Sequence, residues 1–233
     1  MAPSGWRWHT GRMADFITPS EFDASDVGDW RLVGDGVCAF FATGTLAAGA
    51  RFVQAIAALP GVEDHPPDID VRPEAVTVRL LTMGEDGYGP TRRDVEMARK
   101  ISAAAQSLHL AADPSKVQSV LVIPGASDTA AVMPFWEAML GYVRRPDSPE
   151  EDLVDPRRRG PSFWFERMEE TRPDGMGAVH VSVWVPYEQA ELRIQAALSA
   201  GGRMVRDEFA PMWWTLSDAA GNEADISTAK GRE

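Results

Sequence analysis

The strongest constraint on this chain is a repeat in its second half. Gln118-Ser-Val-Leu-Val-Ile-Pro leads into a helical stretch over residues 128–140 and then Gly141-Tyr-Val-Arg-Arg. His180-Val-Ser-Val-Trp-Val-Pro leads into a second helical stretch over residues 188–200 and then Gly202-Arg-Met-Val-Arg. The strands start 62 residues apart and the glycines 61 apart. Each unit then adds short strands, over 152–155 and 162–166 in the first and over 213–216 and 223–227 in the second. The pattern predicts paired βαβββ units whose curved sheets enclose a cavity.

The first half has a different rhythm. Thr18-Pro19-Ser20-Glu21 opens a helix with a capping side chain, proline at the first position and an early acid. Trp30 to Phe41 alternates as two strands around Gly34-Asp35-Gly36, and Leu46, Phe52, Val53, Ile56 and Leu59 then fall near helical spacing until Pro60-Gly61. Residues 68–72 and 75–82 predict a second strand pair. Thr91 caps a helix with Val95, Ala98, Ile101, Ala105 and Leu108 on one face. The order α-β-β-α-β-β-α predicts an antiparallel sheet with helices on one face, so the chain as a whole is α+β. Residues 111–115 (Ala-Ala-Asp-Pro-Ser) are the expected linker. The expected divisions are a disordered extension over residues 1–13, one domain over 14–112 and a second over 113–233.

At 233 residues there is enough chain for two such domains. The formal net charge is −12, split as −6 on either side of Asp113, so no basic half is hidden behind the average. Nucleic acid and anionic membrane surfaces both demand clustered Lys and Arg, and neither partner is expected. No apolar run is long enough for a membrane span. The single cysteine, Cys38, lies in an apolar stretch, which predicts a buried inert thiol and a cytoplasmic location.

Between the second helix and its following strand stands Glu63-Asp64-His65-Pro66-Pro67-Asp68, and downstream stands Thr91-Arg92-Arg93-Asp94-Val95. With Asp29-Trp30, the strand Val76-Thr-Val-Arg-Leu-Leu-Thr and the element order, residues 17–108 resemble the pterin-4a-carbinolamine dehydratases. The resemblance implies dehydration of a 4a-hydroxytetrahydropterin to a quinonoid dihydropterin without a metal, with histidines moving protons. It makes His65 and Asp94 the catalytic candidates and Asp68 a ligand-binding one. The family pattern has two adjacent histidines before the proline and a third at the end of the next strand. Here Pro66 and Met83 stand in the second and third places, and neither exchanges protons.

His180, Ser182 and Trp184 share one strand face, and the chain closes its fold through Gly221-Asn222-Glu223. With the paired βαβββ pattern, residues 117–228 resemble the glyoxalase-like branch of the vicinal-oxygen-chelate superfamily. Active members hold a divalent metal through the first and last strands of each unit, places occupied here by Gln118, Glu166, His180 and Glu223. Such a set would take Zn, Ni, Mn or Fe, with an open position for a chelating substrate. Trp164, Trp184 and Trp214 are candidates to line an aromatic ligand cavity.

Three functions follow as expectations. The first is a dehydratase-like lyase with an incomplete histidine set. The second is a non-catalytic small-molecule binding protein, and the third is metal-dependent lyase, isomerase or dioxygenase chemistry in the second domain. The first resemblance implies a pterin-like ligand; the acidic charge, which does not gather anions from a distance, points more broadly to neutral heterocycles or metal-chelated small molecules. Both resembled families often self-associate, so the resemblance is compatible with a homo-oligomer, although no stretch of the sequence specifies one.

Overall fold

The computed structural model describes residues 15–84, 87–168, 179–217 and 223–232, so the expected disordered extension lies outside the described residues. The chain forms two compact units, one running to Val117 and the other spanning Gln118–Lys230.

The first unit runs α1 (Pro19–Asp23), β1 (Arg31–Val33), β2 (Gly36–Ala42), α2 (Leu46–Ala57), β3 (Asp68–Arg72), β4 (Ala75–Leu80), β5 (Thr82–Gly84), β6 (Gly87–Gly89), α3 (Arg92–Ser107) and β7 (Ala111–Ala112). Thr18 caps α1 reciprocally with Glu21, as its position before Pro19 predicts. The main sheet is antiparallel in the order β1-β2-β4-β3, and β5 and β6 add a separate small hairpin that the strand pattern alone did not separate from β4. The alanine pair expected as linker is strand β7. β1 covers only Gly36 to Cys38 of β2, and Ala111–Ala112 fills the open edge beside Phe41 and Ala42.

Alternation along the strands puts Val37, Ala39, Phe41, Val76, Val78 and Leu80 inside. α2 lies against β3 and β4, and α3 against β2 and β4. Phe52 of α2 meets Phe41 edge-on at 5.0 Å and is fully buried, a side chain that stabilises the fold by about 2–3 kcal/mol. The close approach depends on Gly49, where an added Cβ would sit 3.2 Å from Val76 and 3.3 Å from Val71. Leu46 and Leu108, expected on the apolar helix faces, stand exposed at helix ends, where the stripe runs past the sheet. The opposite sheet face carries Cys38, Arg79 and Asp68 in one cross-strand row. Burial pushes the Cys38 thiol up to about 12 against the pull of Arg79, so it is protonated and inert at neutral pH.

The second unit runs β8 (Ser119–Ala126), α4 (Thr129–Leu140), β9 (Val143–Arg144), β10 (Asp152–Val154), β11 (Ser162–Trp164), β12 (Glu166–Arg167), β13 (Val179–Trp184), α5 (Tyr187–Ser199), β14 (Arg203–Arg206), β15 (Trp213–Ser217) and β16 (Glu223–Ser227). The strands form one sheet in the order β14-β15-β16-β13-β8-β11-β10-β9, with β12 also paired to β8. β8 and β13 meet antiparallel at its middle, and each pairs in parallel with a later strand of its own repeat. Asp128 caps α4, and Gly141 ends it at φ +64, a conformation that favours glycine. Val122, Leu153 and Phe163 pack with Met133, Trp136 and Leu140 of α4. Val183, Trp214, Leu216 and Ile226 pack with Ala190, Ile194 and Leu198 of α5. The other sheet face is therefore left to the alternate residues, and these are largely polar. Among the described residues, no helix is long and apolar enough to cross a membrane.

Candidate functional site

In the first unit the site grows from the start of α3. Thr91 and Asp94 form a capping box across its first turn. One carboxylate oxygen of Asp94, Oδ2, accepts from the Thr91 amide at 2.7 Å, the Thr91 hydroxyl at 2.7 Å and the Thr82 hydroxyl of β5 at 3.0 Å. The other oxygen, Oδ1, is thereby turned toward Nε2 of His65, 2.7 Å away. Asp94 is wholly buried, and the His65 side chain is 12% exposed. A buried carboxylate satisfied by this many donors is held in one orientation.

His65 reaches the pair from the turn after α2. Its amide donates to the carbonyl of Val62, and Arg93 of α3 donates to the carbonyl of Asp64 at 3.1 Å, tying the turn to the helix start. With Nε2 on Asp94, Nδ1 is the nitrogen without a protein partner among the described residues. Neutral imidazole held this way donates from Nε2 and accepts at Nδ1. Met83, in the place of the third histidine, is an exposed residue of β5 opposite Tyr88. Asp68 is not brought to the pair. Arg79 donates to it at 3.0 and 3.3 Å on the sheet face away from the helices, because strand alternation gives the helix side to Ile69 and Val71.

In the second unit the polar sheet face gathers three of the four expected metal ligands. His180 pairs with Ile123, Glu166 pairs with Gly125 two residues further along β8, and Glu223 stands one step before the Val181–Ala224 pair. Gln118 does not join them. Leu121 faces Ser182 at the centre of the ladder, which makes Ser119 the counterpart of His180 and puts Gln118 on the helix side. There it accepts from Arg193 of α5 at 3.4 Å. Trp214 is likewise on the helix side, packed into the α5 core, and so does not line a ligand face. Trp184 shares the polar face but is only 2% exposed, leaving no open ring surface. Trp164 is half-buried opposite Asp152, with its indole N–H donating to Glu151.

Two carboxylates on this face were not anticipated. Asp225 sits 3.3 Å from Nε2 of His180 and accepts from the Thr215 hydroxyl at 2.7 Å. It lies two residues after Glu223, so strand alternation was the available signal. Burial alone would lower the pKa of His180, but the hydrogen bond and charge of Asp225, then Glu166 and Glu223, outweigh it and raise the pKa. Asp152, buried on β10, is pushed up to about 6 because desolvation outweighs the attraction of Arg145. No signal in residues 147–155, an acidic loop by composition, distinguished it.

The metal expected here is not matched by these residues. Among the described residues no three His, Cys, Asp or Glu side chains converge as a metal centre requires. Nε2 of His180 faces Asp225, the Glu223 carboxylate accepts from Arg206 at 3.3 Å, and the first strand of the first repeat offers Ser119 in place of a ligating amide.

Comparison with known proteins bears on both units. Residues 18–104 match the family described as Pterin 4 alpha carbinolamine dehydratase, and residues 120–227 match the Glyoxalase-like domain. A Mycobacterium leprae (strain Br4923) protein named "Putative pterin-4-alpha-carbinolamine dehydratase" is 36% identical over 87 residues, spanning 36% of this chain and 90% of that protein. The protein of the same name in strain TN aligns with the same values. Among solved structures, a glyoxalase/bleomycin resistance protein/dioxygenase superfamily member from Vibrio splendidus 12B01 superposes with a TM-score of 0.31 at 12% identity, covering 48% of this chain and 99% of that one. An NAD-dependent benzaldehyde dehydrogenase from Legionella pneumophila superposes with a TM-score of 0.34 at 13% identity, covering 47% of this chain and 97% of that one. Neither superposition is close enough to carry function.

Proposed function

We propose, for a chain that belongs through residues 18–104 to the pterin-4-alpha-carbinolamine dehydratase family and carries a glyoxalase-like domain over residues 120–227, a dehydratase-type lyase activity borne by a single imidazole. The supporting observation is the 2.7 Å pair between His65 and a fully buried Asp94. Asp94 orients the ring through Nε2, leaving Nδ1 to meet the ligand.

The chemistry needs one proton given and one taken. Charged His65 donates its Nδ1 proton to the departing 4a-hydroxyl, the C4a–O bond breaks, and the hydroxyl leaves as water. The same nitrogen then removes the proton from N5 as the C4a–N5 double bond forms, giving the quinonoid dihydropterin and restoring the imidazolium. One group can serve both steps in succession, whereas Pro66 and Met83 can serve neither. The expected rate is therefore below that of a site with three histidines.

The test is stopped-flow absorbance of freshly generated 4a-hydroxytetrahydropterin. The full chain should accelerate its loss over buffer, and His65→Ala should remove the acceleration. Turnover by the wild type no faster than buffer would sink the proposal. A second reading, ligand binding without turnover in the glyoxalase-like domain, is favoured by the buried polar groups Ser182, Thr215, Asp225 and Ser227 on one sheet face. A pterin that raises the thermal midpoint of the chain even with His65→Ala would support it.

A further inference from the structure

We infer that Thr82 is a positioning residue for the dehydration step, acting on His65 through the Asp94 carboxylate. The inference rests on the lyase reading above for its reaction, and on geometry for its mechanism. A helix start needs only the reciprocal Thr91–Asp94 pair to satisfy its first amides, and α3 has that pair in full. Thr82 adds a further donor that the cap does not require. It comes from a different element, β5, and reaches Asp94 Oδ2 at 3.0 Å while lying 3.0 Å from the Thr91 hydroxyl.

The consequence is rotational. With only Thr91 donating, the carboxylate of Asp94 keeps freedom to turn about its last bond, because a single neighbouring residue cannot fix the plane of both oxygens. A second hydroxyl arriving from the β5–β6 hairpin pins Oδ2 from another direction and so fixes where Oδ1 points. Oδ1 is the sole protein partner of the His65 ring among the described residues. A ring held on one side only is as well aimed as that one oxygen, so the imidazole inherits its orientation from Thr82. Asp94 itself has no oxygen left over for the ligand: Oδ2 carries three donors and Oδ1 carries His65. Its part is likewise to position, and the proton traffic falls to His65 alone.

The test compares T82V, which keeps the shape of the side chain and suits a strand, with T82S, which keeps the hydroxyl. Two readouts are taken on the full chain. One is kcat and KM for 4a-hydroxytetrahydropterin; the other is the low-field NMR signal of the hydrogen-bonded His65 Nε2 proton, assigned by its loss in His65→Gln. T82V should lower kcat about tenfold with KM changed by less than about twofold, and should broaden the Nε2 signal by exchange with water, while T82S restores both. A T82V protein with the wild-type signal overturns the inference, as does a lost signal with unchanged kcat or a wild type that lacks the signal. Should the wild type show no dehydration at all, the lyase reading falls by itself, and the NMR comparison still decides whether Thr82 orients the ring.

Discussion

Removing the Asp94 carboxylate separates two roles that the structure assigns to one side chain. Asp94→Ala deletes an acceptor used by the His65 ring, the Thr91 amide, the Thr91 hydroxyl and the Thr82 hydroxyl. The two hydroxyls lie 3.0 Å apart and one can donate to the other, so the donors left unpaired are the second hydroxyl, the Thr91 amide and the His65 Nε2 proton. Loss of the cap costs about 1 kcal/mol, and a buried donor without a partner about 1–3 kcal/mol more. The expected total is about 2–4 kcal/mol for the first unit. Asp94→Asn keeps one oxygen for the threonines and should cost only about 1 kcal/mol. Its amide, however, presents N–H to Nε2 of His65 and drives the ring to the Nδ1–H form, so dehydration should fall about a hundredfold in a protein that is nearly as stable. Hydrogen exchange of the α3 and β4 amides measures the first effect unit by unit, which matters because a chain of two compact units need not unfold in one step. A loss below about 0.5 kcal/mol in Asp94→Ala would refute the bonding account. Full activity in Asp94→Asn would refute the tautomer argument.

Two further outcomes follow from buried groups. Asp152 is pushed up to about 6 from 3.8, so between those values the folded state binds more protons than the unfolded chain and stability falls as pH rises. The full effect is about 3 kcal/mol; Asp152→Asn should flatten the pH dependence of the second unit's unfolding over that interval, and parallel curves for the two proteins would contradict this. Cys38, buried and protonated, should react with a thiol reagent only through opening of the first unit, far more slowly than in the denatured chain; a native-state rate equal to that of the denatured chain would show the thiol to be exposed.

Much of this molecule could be read in one dimension. Thr18, Thr45, Thr91 and Asp128 announce their helices because capping is a contact over three residues. The strands of both repeats announce themselves because their side chains alternate. His65 and Asp94 carry the resemblance that the family match upholds. What these signals lack is any measure of which distant groups meet. Asp94 is visible as a helix-start acid, but its contact with His65 spans 29 residues of sequence, and Thr82 enters only when β5 is laid beside α3.

The repeat shows the same limit more sharply. Its spacing of 61 or 62 residues was enough to identify two βαβββ units, but the difference of one residue decides everything about Gln118. A strand's side chains repeat every two residues, so an offset of one carries a group from one face of the sheet to the other. The β8–β13 ladder chose the register that puts Ser119 opposite Trp184, sent Gln118 to Arg193 and left His180 beside Asp225. Composition, capping and periodicity determined the elements, and the motifs around His65, Asp94, His180 and Glu223 carried the family resemblance of each half. Pairing register and packing alone decided which polar groups face one another, because those choices depend on contacts between residues that local sequence does not relate.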